Sequence, residues 1–227
     1  MTVAAILPCA GSGVRMGGEG DKLLLQVRGR PVVAWSIEAL ERSGGVDSVI
    51  VVASELNLAP IADAVQGLDS NLPIELVLGG ARRQDSVARA VEHLAATAPT
   101  IVVVHDGARP LVPPGLVRAV VDAAAEHGAA TAGLPLKNAC KEVDDNGFVR
   151  RSLERASLVS VQTPQAFRFE ILERAHREGL AQGAVVDDDA ELVERLGCVV
   201  KVVPGEYRNI KITTPDDLAA AEAQLSL

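Results

Sequence analysis

The residues best suited to chemistry are concentrated in one loop, Ala10 to Lys22, which carries five glycines between Gly11 and Gly20 together with Arg15 and Lys22. Glycine lets a backbone curl so that several N–H groups converge and a ligand approaches closely. Converging N–H donors and two cations make a receptor for a polyphosphate. A glycine-rich loop on its own is as readily a plain turn. This one follows the apolar run Val3 to Leu7, and ligands of α/β proteins sit beyond the carboxyl ends of their strands. Two phosphate motifs can be excluded. The P-loop needs GxxxxGK[ST], and no lysine follows a glycine in that frame. The dinucleotide fingerprint GxGxxG nearly fits Gly11-Ser12-Gly13, but the third glycine arrives one residue late, at Gly17. It also wants an acidic residue about 20 positions on, at the end of the second strand, and that strand ends much farther along, at Ser54-Glu55.

A second constellation follows the run Ile101 to Val104, where His105-Asp106-Gly107-Ala108-Arg109-Pro110 sets a carboxylate and a guanidinium at a strand end. Asp106 is expected to face substrate hydroxyls or a metal, and Arg109 to divide between substrate and an ion pair with Asp106. His105, on the last position of the strand, is expected to be packed and not an acid–base group. Asp187-Asp188-Asp189 has the composition of a metal cluster, but at a helix start carboxylates are already favoured by the dipole.

These groups must be held by an alternation of strands and helices. Strand-like runs at Val46 to Val52, Ile74 to Leu78, Ile101 to Val104, Ala129 to Leu134, Leu158 to Gln162 and Val199 to Val203 are separated by apolar residues at helical spacing. Helices are placed with Pro31 as a first residue, from Leu58, from about Arg83, after Pro113-Pro114, from Phe169, around Leu192 to Leu196, and from Thr214-Pro215-Asp216-Asp217. Asn209 to Ile212 reads as a last short strand. The pattern predicts an α/β fold, a Rossmann-like, doubly wound, mainly parallel sheet in a single domain spanning residues 1–227. Residues 137–155 break the rhythm. Two polar, strand-like segments flank Asn146-Gly147, the strongest short hairpin signal, and form an extended β-hairpin arm that must pack on something.

Composition narrows the classes. Thirty Asp and Glu outweigh 22 Lys and Arg, for a net charge of −8, which argues against a nucleic-acid partner. No apolar run approaches the roughly 20 residues of a membrane span, and the N-terminus lacks the basic region of a signal peptide. Cys9, Cys140 and Cys198 are widely spaced with no CxxC pair, as expected of reduced thiols in a cytoplasmic protein.

Leu7-Pro8-Cys9-Ala10-Gly11-Ser12-Gly13-Val14-Arg15-Met16 with Asp21-Lys22 resembles the signature loop of sugar-nucleotide and alditol-phosphate nucleotidylyltransferases. Four later segments narrow the resemblance: Gly79 to Val87, Val104 to Pro110, Gln162-Thr163-Pro164-Gln165 and Asn209 to Thr213. In this order they resemble the family of 2-C-methyl-D-erythritol 4-phosphate cytidylyltransferases. The resemblance implies attack of the acceptor phosphate on the α-phosphorus of CTP, with Mg²⁺ bridging phosphate oxygens. It implies Arg15 and Lys22 as the catalytic cations. It implies a nucleotide site from Pro8, Ala10, Gly11, Ser12, Gly13, Gly80, Ala81, Ser86, Asp106 and Gly107. Arg155, Lys211, Asp106, Thr163 and Arg109 would position the acceptor, and the arm would reach across a homodimer. Ser86 read alone is equally a helix-cap residue. Two departures fall on the acceptor side: Asn138-Ala139 replaces the usual Asp-Thr, and Asp187-Asp188 the usual Thr-Asp. They leave open another alditol phosphate, such as ribitol 5-phosphate, or a catalytically weak nucleotide-binding paralogue.

Overall fold

A computed structural model of the chain describes residues 1–11 and 21–225. In chain order, β1 (Val3–Pro8) is followed by a small ribbon of β2 (Gln26–Val27) and β3 (Arg30–Pro31), then α1 (Val32–Ser43), β4 (Ser48–Ala53), α2 (Leu58–Gln66), β5 (Ile74–Leu78), α3 (Arg83–Leu94) and β6 (Ile101–Val104). The chain continues through α4 (Pro114–His127), β7 (Ala129–Pro135), the arm strands β8 (Cys140–Val143) and β9 (Val149–Leu153), and β10 (Val159–Arg168). It ends with α5 (Phe169–Ala181), α6 (Asp189–Arg195), β11 (Lys201–Pro204) and α7 (Pro215–Gln224).

Seven strands make one sheet in the order β11-β7-β10-β6-β1-β4-β5. All neighbours pair parallel except β10, which runs antiparallel to both β6 and β7. Along β1, Val3, Ala5 and Leu7 enter one core while Ala4 and Ile6 enter the other. In β6, Ile101 and Val103 face the first core and Val102 and Val104 the second. Successive strand side chains point to opposite faces, so a continuous apolar run is stable only because helices cover both. α1 and α4 supply one layer, α3, α5 and α6 the other.

Helix ends follow local chemistry. α1 stops at Gly44, whose φ of 61° lies in the left-handed region that glycine enters most easily. α7 starts on a capping box in which Thr214 accepts from Asp217 N and Asp217 from the Thr214 backbone, with Pro215 in the first turn. Three details differ from the sequence reading. Pro31 caps α1 from a β-bridge and is not its first helical residue. Asn209 to Ile212 is not a strand: Ile212 N makes a single bond to Ala108 O at 2.9 Å, and the segment runs on as loop. The strand expected from Leu158 to Gln162 continues to Arg168, with a register break between Gln162 and Gln165.

Candidate active site

The carboxyl ends of β1, β5 and β6 open on one side of the sheet, and the segments that follow them line a cavity of about 340 Å³. That volume lies in the range of small-molecule sites. Because β10 runs the other way, its early residues, including Thr163, reach the same end.

Asp106 is the hub. Arg83 Nε donates to its Oδ1 at 3.2 Å, and Lys211 Nζ and Arg109 Nε lie 2.9 and 3.4 Å from its Oδ2. Burial alone would raise the carboxyl's pKa, but the charges of Arg83, Lys211 and Arg109 outweigh it and hold Asp106 well below the usual carboxylate range. Asp106 is therefore a fixed anion whose work is to orient cations. Arg109 turns away from the cavity, donating through Nη1 to Asn209 O at 2.8 Å, so its contacts are with the frame and not with the cavity.

Behind Asp106 lies a neutral relay. His105 is fully buried, and burial pushes its pKa down to about 4. Its Nε2 sits 3.1 Å from the Arg109 carbonyl, which only accepts, so Nε2 carries the proton and Nδ1 accepts. Thr163 Oγ1, 3.2 Å from Nδ1, then donates to it and accepts from Asp106 N at 3.0 Å. Thr163 thus fixes the Asp106 backbone from behind and does not line the cavity.

The turn between β5 and α3 forms the opposite wall. A Cβ on Gly79 would lie 2.7 Å from Ser86 Oγ, and one on Gly80 only 2.4 Å from Asp85 Cβ, so the turn closes tightly only with glycines. Ser86 Oγ accepts from Gly80 N at 3.1 Å and donates to Arg82 O at 3.0 Å. It braces the turn from within α3 and is not the cap. Capping falls to Asp85, which accepts from Arg82 N at 3.1 Å while Arg82 grips its carboxylate with two donors.

The far end of the glycine-rich loop is clasped by Asn57. Its Nδ2 donates to Cys9 O at 2.8 Å and to the Asp21 carboxylate, and its Oδ1 accepts from Ser54 N at 2.7 Å. Lys22 follows directly, lines the cavity, and donates through Nζ to Ile212 O at 3.1 Å. The C-terminal segment thus touches both sides of the cavity, through Lys211 on Asp106 and through Ile212 on Lys22.

Of the residues expected at the site, Pro8, Ala10, Gly11, Lys22, Gly80, Ala81, Ser86, Asp106, Gly107 and Lys211 line the cavity together. Ser12, Gly13 and Arg15 lie outside the described residues. Arg155 sits at the base of the arm, donates through Nη1 to Lys137 O at 2.5 Å, and does not line the cavity of its own chain. Arg83 and Asn57 were not singled out from the sequence. Arg83 stands inside a recognised segment, but its partners Asp106 and Asp189 are 23 and 106 residues away.

Among the described residues no group of three or more His, Cys, Asp or Glu is placed to hold a metal ion. Among the described residues Asp106 is the one carboxylate lining the cavity, and cations occupy both its oxygens. This donor set does not form a Mg²⁺ site of its own. Asp187-Asp188-Asp189 divides as a helix start does: Asp188 caps α6 by accepting from Glu191 N, and Asp189 turns inward to Arg83 and His176.

A family model described as 2-C-methyl-D-erythritol 4-phosphate cytidylyltransferase matches residues 3–226. A relative of that name from Pelotomaculum thermopropionicum is 48% identical over 225 residues, covering 97% of this chain and 93% of the relative. The crystal structure of a 4-diphosphocytidyl-2C-methyl-D-erythritol synthase from Anaerococcus prevotii superposes with a TM-score of 0.86 at 31% identity, covering 100% of this chain and 96% of that one. That of the 2-C-methyl-D-erythritol 4-phosphate cytidylyltransferase from Thermus thermophilus gives 0.80 at 35% identity over the full length of both chains.

Proposed function

The chain belongs to the 2-C-methyl-D-erythritol 4-phosphate cytidylyltransferase family, and from that premise we propose how its cavity carries out the reaction. The enzyme transfers the cytidylyl group of CTP to 2-C-methyl-D-erythritol 4-phosphate, releasing pyrophosphate and giving 4-diphosphocytidyl-2-C-methyl-D-erythritol, a step of isoprenoid biosynthesis. The observation that carries the assignment of roles is the convergence of Lys22, Lys211 and the Gly79–Ser86 turn on one cavity around Asp106.

The acceptor's phosphate oxygen forms a bond to the α-phosphorus of CTP as the bond to the pyrophosphate oxygen breaks. Negative charge spreads over phosphoryl oxygens in that transition state, so the protein's work is positioning and fixed positive charge. Lys22, with Arg15 from the same loop, meets that charge, and the backbone N–H groups of Ala10 to Gly13 hold the triphosphate. The tight turn at Gly80 and Ala81 takes the base, braced by Ser86. Lys211, held by Asp106, takes the acceptor's phosphate. Asp106 is already committed to cations, so a divalent ion would be held by the triphosphate of CTP, where it would supply charge neutralisation. Arg155 serves the acceptor in the second subunit of a homodimer, a role consistent with its absence from the cavity wall of its own chain.

Pyrophosphate release from CTP and Mg²⁺ tests the reading. Release is expected with 2-C-methyl-D-erythritol 4-phosphate and little or none with ribitol 5-phosphate. Equal or faster release with ribitol 5-phosphate would move the acceptor assignment to that compound. CTP binding without release with either would leave a nucleotide-binding protein only.

A further inference from the structure

One chain of hydrogen-bonded polar and charged groups runs from α5 into the cavity. His176 Nε2 lies 3.1 Å from Asp189 Oδ1, and Arg83 Nη1 donates to Asp189 Oδ2 at 2.7 Å. Arg83 Nε donates to Asp106 Oδ1 at 3.2 Å, and Lys211 Nζ lies 2.9 Å from Asp106 Oδ2. Asp189 and His176 are buried at 1% and 5% exposure and are not part of the cavity wall. The start of α6 that carries Asp189 is itself fixed on β10: Gln165 accepts from Ala190 N at 3.3 Å and donates to Asp188 Oδ2 at 3.1 Å.

Lysine ends in a point charge on a flexible four-carbon stem, so its direction is set by what holds it. Here that is Asp106, whose carboxylate is turned by a guanidinium able to bridge two carboxylates in one plane. We propose that Arg83, anchored on the buried Asp189–His176 pair, is a positioning residue that sets the Asp106 carboxylate and through it the Lys211 ammonium. The acceptor's phosphate is then met by a cation whose direction is fixed from the opposite layer of the molecule. Arg109 holds the same Asp106 oxygen as Lys211, more distantly at 3.4 Å, and is a weaker support for that direction. The inference rests on Lys211 contacting the acceptor.

Asp189→Asn keeps size and shape, removes the anchoring charge, and lies outside the cavity. With CTP and 2-C-methyl-D-erythritol 4-phosphate, it is expected to raise the acceptor KM about tenfold and to change the CTP KM less than about twofold. In a Lys211→Ala background the same substitution should add nothing to the acceptor KM, because the group it positions is gone. An unchanged acceptor KM in folded Asp189→Asn, or an equal increase in both backgrounds, would overturn the inference. If Lys211→Ala itself left the acceptor KM unaltered, the assignment of Lys211 would fall first, and the two failures are thereby told apart. Should Asp189→Asn not fold, His176→Gln carries the same comparison, with an expected rise of about threefold that again vanishes without Lys211.

Discussion

Lys22 reaches the cavity from the end of the glycine-rich loop, with its ammonium directed by the Ile212 carbonyl. A cation that meets charge developing on phosphorus matters more to turnover than to binding, so Lys22→Ala is expected to lower kcat by about 10²-fold or more. Single-turnover transfer at saturating CTP measures it, and an unchanged rate would remove Lys22 from the chemistry. The neighbouring relay makes a different prediction. His105 is held neutral by burial, its pKa pushed from the ordinary 6.5 down to about 4. Between those values the unfolded chain takes up a proton that the folded one refuses. The stabilisation is complete above pH of about 6.5 and falls away toward pH 4, by about 3 kcal/mol in all. Denaturant titrations at pH 7 and pH 5 should show this slope in the native enzyme and a shallower one in His105→Gln; equal slopes would mean that other groups set it. Lys22 was legible in the sequence because its whole context is contiguous. Arg83 was not, since its meaning lies in two carboxylates distant in the chain.

At the scale of elements, strand positions could be read from apolar runs, but strand direction could not. Nothing in Val159 to Arg168 marks β10 as antiparallel, yet that reversal brings Thr163 behind Asp106. Helix ends were legible where capping is local, as at Thr214-Pro215, and illegible where the cap serves a distant partner. Asn57, just ahead of α2, spends its amide on Cys9 and Asp21 and so ties β1 and the end of the loop to β4's exit. It is 6% exposed, so truncation leaves buried partners unsatisfied. Asn57→Ala is expected to cost about 1–3 kcal/mol of stability. It should also raise the CTP KM, because the loop loses its clasp, while the acceptor KM stays constant. Denaturant midpoints and steady-state kinetics check the two parts separately. A destabilised enzyme with its CTP KM intact would reduce the clasp to a purely structural one.

At the scale of the whole molecule, the proposed homodimer would make the arm the boundary of the active site. Its two strands pair from Cys140↔Leu153 to Val143↔Val149, with Arg151 on Glu142 at 2.6 Å and the Asp144 carboxylate closing the turn on Asn146 N and Phe148 N. A two-stranded ribbon is marginal by itself, and this one leaves Val143, Phe148 and Val149 between 52% and 72% exposed. In the proposed homodimer, a second copy covering them would bring its Arg155 to the first copy's cavity. The consequence can be tested without a structure of the assembly. Lys22→Ala and Arg155→Ala should each be strongly impaired alone. Where sites are shared, a mixed dimer holds one site with both defects and one with neither. Equilibrating the two inactive proteins in equal amounts should therefore restore activity, approaching about a quarter of the native value for random exchange across a two-fold interface. Phe148→Asp in both chains should prevent that recovery and give a monomeric mass by light scattering, because a charge replaces the most exposed apolar group on the arm. Mixing that restores nothing, from proteins shown by mass to exchange subunits, would place Arg155 outside the partner's site and confine the chemistry to one chain.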